Sequence, residues 1–247
     1  MSDTHRAATA TNPLARRLGF WSAVTAFLTF VVYVVCFVAI LSSSPVFTWT
    51  TLDNYLAYDE TYGGPFQPLA QLAMLVFGLS LVVLLHAVHE STDPARRVLV
   101  RISAAFASLF AVSIGIHYFT QITAVRLNLL ARQTEGLQYF VQANPHAILS
   151  AINMLGWTVF LGLASLFAAP VFSGTALERV VRSALLLNAL FCFGGAVGYA
   201  WVIDWLTFVT INLGMGGAVM VVTGALALWF RGPLSPGEGQ DTLGPGR

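Results

Sequence analysis

Residues 19–42, GFWSAVTAFLTFVVYVVCFVAILS, form an uninterrupted apolar stretch without a charged side chain. The hydrocarbon core of a bilayer is about 30 Å thick, and about 20 apolar residues in a helix cross it. This run is long enough to span. Arg16 and Arg17 precede it as they would a secretory signal. Its length, the exit Ser42-Ser43-Ser44-Pro45 and the lack of a clear A-x-A cleavage site make it a retained helix instead.

Five more long apolar runs follow at 67–89, 95–121, 146–170, 177–201 and 205–230, the second and fourth of them with charged residues only near their starts. Apolar residues make up 57% of the chain and charged ones 9%, which leaves little material for a soluble domain. The sequence therefore predicts an all-α, polytopic membrane protein: a six-transmembrane-helix bundle over 19–230, a tail at 1–18 and a disordered tail at 231–247.

Arginine sets the expected orientation. Arg6, Arg16, Arg17, Arg96, Arg97, Arg101, Arg179, Arg182, Arg231 and Arg247 share one side if the termini and the second and fourth loops do, and Arg126 and Arg132 fall opposite. Cytoplasmic loops carry the excess of basic residues. Both termini are expected inside (N-in/C-in), in a multi-pass protein of a prokaryotic cytoplasmic membrane.

Composition also excludes chemistry. The chain has no lysine, which rules out a retinal or other lysine Schiff base and a P-loop lysine. A net charge of +1 offers no broad basic surface, so no nucleic-acid partner is expected. Cys36 and Cys192 lie inside apolar runs and behave as small hydrophobes. His86, His89 and Glu90 share a helix face, but a lone H-x-x-H-E at a helix end reads as a polar rim, so neither a metal site nor a cofactor is expected.

Local signals place helix starts. Asp93-Pro94 and Asn144-Pro145 each read as a cap followed by proline at the first helical position, and Thr175 to Glu178 reads as a capping box. Asp204 stands where the last run would take its cap. The outer loop 43–66 carries Phe47, Trp49, Tyr55, Tyr58, Tyr62 and Phe66 with Asp53, Asp59 and Glu60, which suggests a short interfacial helix acting as a lid. Loop 122–145 suggests an extension of the third helix followed by a surface piece.

With so little mass outside the membrane, any site must lie in the bundle or at its rims. Polar residues inside apolar spans usually face the interior. Here they recur at helical spacing: Ser22, Thr25, Thr29, Tyr33 and Cys36 in the first span, Ser113, His117 and Gln121 in the third, His146, Ser150, Asn153 and Trp157 in the fourth, Asn188, Cys192 and Tyr199 in the fifth. Interhelical hydrogen bonding and close packing at Gly194-Gly195-Ala196-Val197-Gly198 and Gly214 to Gly217 account for many of them.

The strongest polar groups gather toward the outer ends. His117, Tyr118, Gln121, His146, Asn153, Trp157 and Tyr199 are the expected lining of an outward-facing pocket between the third to sixth helices, binding a small lipophilic or amphipathic ligand. The alternatives are an intramembrane acid/base enzyme on a lipid or isoprenoid, with His117 paired to Asp204 or Glu60, and a small-solute transporter or channel. Membrane lipids are expected partners, as is a second copy of the chain associating through the glycine-rich helices.

Overall fold

The computed structural model describes residues 12–232. Arg6, Arg247 and most of the two tails lie outside the described residues. The helices are α1 (Pro13–Ser43), α2 (Leu52–Tyr62), α3 (Phe66–Glu90), α4 (Pro94–Leu130), α5 (Ile148–Val171), α6 (Ala176–Ala200) and α7 (Asp204–Arg231), with no strand among the described residues. All but α2 are long and apolar enough to cross a membrane, which makes the chain a multi-pass helical membrane protein. The bounds follow the apolar runs closely, and α4 continues beyond residue 121 as the loop composition suggested. The short helix expected in 43–66 is α2.

Each spanning helix packs on its sequence neighbours, and α7 returns to α1, so the six close into a ring. The short connections at 91–93, 172–175 and 201–203 make α3 and α4, α5 and α6, and α6 and α7 antiparallel neighbours. One end of the ring carries α2 and loop 131–147 and is called the loop end. The other holds Asn12 and Gly232 and is called the terminal end.

Capping chemistry builds the terminal end. Asp93 accepts from the Ala95 amide, and Thr175 and Glu178 form the predicted capping box. Glu178 also accepts from the Trp229 indole at 3.1 Å, tying α6 to α7. Arginines complete the helix ends that expose carbonyls. Arg96 donates to the Pro170 and Val171 carbonyls at the end of α5, and Arg16 donates to those of Phe230 and Gly232 at the end of α7.

Two predicted caps are displaced. Asn144 accepts from the His146 amide at 3.0 Å, but the helix starts at Ile148 after Ala147. Asp204 is the first helical residue, following Ile203, so its carboxylate sits in the first turn, where the helix dipole favours it, without capping.

The α6–α7 turn is a Schellman motif. The Ile203 amide donates to the Gly198 carbonyl at 2.7 Å and the Val202 amide to that of Tyr199 at 3.3 Å, which puts Val202 in the left-handed region at φ 56°. Gly198 is required for closeness: a Cβ there would stand 2.7 Å from the Thr207 amide nitrogen. Gly194, Gly195 and Gly214 are likewise covered from inside the chain, by Thr210, Ile211 and Phe191. Most of the glycine-rich faces are thus consumed in packing α6 on α7, while Gly217 faces open space.

An aromatic layer crosses the ring at mid-depth. Phe77 stacks on Trp157 with centroids 5.9 Å apart, Phe110 meets Trp157 edge-on at 4.9 Å, and Phe30 closes on Phe77 at 5.6 Å. Toward the terminal end lies a small enclosed cavity of about 30 Å³ bordered by Asn188, Ser165 and Thr223 among apolar side chains. Most span hydroxyls are satisfied within their own helices, as with Thr29 to Thr25 and Ser113 to Leu109. Ser103 is an exception and bonds across from α4 to the Ala164 carbonyl of α5 at 2.7 Å.

Candidate functional site

Regular α-helix gives way to π-turns at Gln121–Val125 in α4, Leu155–Phe160 in α5 and Val209–Met215 in α7. All three fall in the half of the ring nearest the loop end. A π-turn inserts a residue and re-aims the side chains around it, which is why such turns recur at functional sites.

The first of these turns aims Gln121 at the returning chain. Its Nε2 donates to the Phe140 carbonyl at 2.6 Å and its Oε1 accepts from the Gln142 amide at 3.1 Å, so one side chain clamps the loop through both amide atoms. Gln71 of α3 donates to Gln142 Oε1 at 2.8 Å. Tyr199 of α6 donates to the Pro145 carbonyl at 2.7 Å, and Ser150 of α5 to that of Asn144 at 2.8 Å. Four helices thus hold residues 138–147 as a fixed cover.

The second part of the cover is the aromatic loop. Tyr55 of α2 is buried with Val125, Leu137 and Val141, and Phe47, Trp49 and Leu52 pack against that cluster. Tyr58 is centred 4.8 Å from Phe47 and 5.1 Å from Tyr62. The loop therefore packs as the predicted lid, joined to residues 137–141.

Beneath this cover, between α2, the start of α3 and the end of α4, is a cavity of about 300 Å³. One wall is apolar, made by Ile122, Val125 and Leu129. The other is polar, made by Gln67 and Gln71 one helical turn apart on α3. Asp59 and Arg126 line the same cavity, and neither forms an ion pair among the described residues. Asp59 is partly buried, and loss of hydration pushes its carboxyl above the usual range. Burial and the Asp59 charge push the Tyr55 phenol upward as well, so it stays protonated. A carboxyl and a guanidinium with unspent charge can each receive one end of a polar head group.

His117, Tyr118, Asn153 and Trp157 lie deeper. His117 is fully buried, and its Nδ1–H donates to the Leu149 carbonyl at 3.0 Å. Its Nε2 is buried without a partner, as is Asn153 Oδ1. The Tyr118 hydroxyl meets the side chains of Asn153 and Trp157. This group is separate from the cavity lining, and only Gln121 of the predicted residues borders the cavity.

The remaining predicted residues disperse. Tyr199 is a tether of the loop, and the side chains of His146, Asp204 and Glu60 are exposed. The interior between the third to sixth spans is filled by Tyr118, Trp157 and Phe110, and the open space lies instead between the second and third spans and the lid. Sequence reading passed over Gln71 and Gln142 and put Glu60 before Asp59. Signals existed: Gln67 and Gln71 are four apart within a helix, and Asp59 lies four residues after the buried Tyr55.

At the terminal end, His89 Nδ1 lies 3.2 Å from Glu90 Oε1 and His86 Nδ1 turns back to the Val82 carbonyl. No group of three metal-binding side chains exists among the described residues. The fold and its covered cavity define a multi-pass helical membrane protein with a lidded pocket at one end. Comparison with protein-family models, curated proteins and solved structures returns no match.

Proposed function

We propose that this protein binds a small amphipathic molecule in the cavity beneath α2, at the outer face of a cytoplasmic membrane with both termini inside. The observation that carries the reading is the pair Asp59 and Arg126, which border one cavity without engaging each other. Arg126 is exposed and Asp59 half-buried, so a ligand that covers the cavity displaces their water and must pair with both charges. A ligand with a charged or zwitterionic head would pair with them, hydrogen-bond to Gln67, and lay its apolar part on Ile122, Val125 and Leu129.

The orientation rests on the arginines of the terminal end, Arg16, Arg17, Arg96, Arg97, Arg101, Arg179, Arg182 and Arg231, against Arg126 and Arg132 at the loop end. The observations favour binding over acid/base catalysis, which would need His117 beside Asp204 or Glu60; His117 is fully buried and both carboxylates are exposed. They favour it over conduction as well, since Phe30, Phe77, Phe110 and Trp157 pack across the ring.

The test is mass spectrometry of small molecules that co-purify with the protein in lipid nanodiscs, comparing wild type with Asp59→Asn and Arg126→Gln. A specific molecule enriched with wild type and lost in both variants supports the pocket. Equal retention by all three proteins, or no enriched molecule on wild type, rejects it.

A further inference from the structure

At the terminal end, far from the lidded cavity, α1 and α7 enclose a second recess of about 470 Å³. Three guanidiniums, Arg16, Arg17 and Arg231, stand around it with the aromatic side chains of Phe20, Trp21 and Phe230. Among the described residues no carboxylate lines it, and none of the three arginines forms an ion pair.

The recess is built by the fold. Arg16 is held in place because it donates to the Phe230 and Gly232 carbonyls at the end of α7. Gly19 lets the Phe230 ring lie directly on α1, where any Cβ would collide with the ring. Phe20 and Trp21 meet edge-on at 5.2 Å. Arg17, Trp21 and Arg231 remain exposed. Among the described residues Arg17 and Arg231 thus make no side-chain hydrogen bond, and they stand beside an apolar floor at the level where a spanning helix leaves the membrane.

We propose that this recess is a binding site for an anionic glycerophospholipid, with its phosphate between Arg17 and Arg231 and the start of its acyl chains against Phe20 and Phe230. A guanidinium presents paired N–H donors that match phosphate oxygens, and its weak hydration suits it to a site that is half in lipid. Basic recesses between spanning helices on the cytoplasmic side meet an anionic leaflet. Trp21 suits the head-group level, where an indole keeps its ring in lipid and its N–H in water.

The experiment is native mass spectrometry of the full-length protein, delipidated in detergent and titrated with phosphatidylglycerol, with phosphatidylcholine, or with inorganic phosphate. The double variant Arg17→Gln/Arg231→Gln leaves Arg16 and its helix-capping bonds intact. Arg101→Gln/Arg182→Gln removes two exposed arginines from the same end of the bundle and serves as the charge-matched control. Phosphatidylglycerol should bind wild type and the control alike, in preference to phosphatidylcholine, and the first variant about tenfold more weakly.

Equal binding of the two lipids by wild type would overturn the site. So would an equal loss in the control, which would mean diffuse attraction to the basic rim. Displacement of the lipid by millimolar inorganic phosphate would also overturn it, by showing a site for the free anion. A circular-dichroism melt of the double variant that matches wild type ties any loss to the recess itself.

Discussion

His117 donates its Nδ1–H to the carbonyl of Leu149, 3.0 Å away, bonding the loop-end part of α4 into the first turn of α5. A carbonyl only accepts, so Nδ1 carries a proton, and Nε2 is buried with no hydrogen-bond partner among the described residues. The histidine is therefore a joint between two helices whose second nitrogen is unsatisfied.

Replacing His117 by alanine removes the donor and leaves a void, and should lower stability by about 1–3 kcal/mol. Asparagine, whose amide nitrogen reaches near the place of Nδ1, should recover part of the loss. Thermal melts in one detergent compare the three proteins, and a melt unchanged in the alanine variant would mean that this joint contributes nothing.

Asp59 gives a pH dependence of known sign. Its carboxyl titrates above the ordinary value in the folded protein, so the folded state binds that proton more tightly than the unfolded chain. Its contribution to stability is greatest below the ordinary aspartate range, falls as pH rises through the window up to the raised value, and is constant above it. Asp59→Asn should remove this component: the melting temperature of wild type minus that of the variant should decline as pH rises from the ordinary aspartate range toward the raised value. A difference that rises or stays flat would contradict the burial of the carboxyl.

The turn between α6 and α7 predicts three unlike outcomes. Gly198→Ala forces a Cβ against the Thr207 main chain, which cannot yield as a side chain end would, and should cost about 1–3 kcal/mol. Val202→Gly relieves a β-branched residue at φ 56° and should stabilise by about 1 kcal/mol. Gly217→Ala meets open space within a helix and should gain about 0.5–1 kcal/mol. Denaturation in mixed micelles ranks the three, and a Gly217 variant as damaging as that of Gly198 would point to a partner helix on that face.

Asn188 donates to Ser165 Oγ at 2.7 Å, while its own Oδ1 is buried without a partner beside the small enclosed cavity. The cavity volume suffices for about one water. Asn188→Leu removes the orphaned acceptor and fills the space, so the melt should be unchanged or higher. A marked loss of stability would show that a bound molecule in the cavity satisfies Oδ1 and contributes to the fold.

Much of the architecture was legible beforehand because its signals are local. Hydropathy marks each span without reference to any other, and the capping box at Thr175 and Glu178 or the Asp93 cap involves neighbours in sequence. The Asn144 cap shows where locality ends: the asparagine makes its bond, yet the helix waits for Ala147 because Ser150 and Tyr199 hold the intervening carbonyls. The site was read less well. His117, Tyr118, Asn153 and Trp157 do share the interior of the loop-end half, but they fill it instead of lining an opening.

The sequence by itself determined six spanning helices, the grouping of arginines at one end and the polar depth of His117 and Gln121, since each follows from composition along one helix. Only the tertiary structure decided that Asp59, rather than Glu60 or Asp204, shares a cavity with Arg126, and that side chains of the facing helix cover Gly194, Gly195, Gly198 and Gly214. Those outcomes depend on how far each helix turns about its own axis and on where residues 138–147 fold back. Long-range packing sets both, and no periodicity in the chain records it.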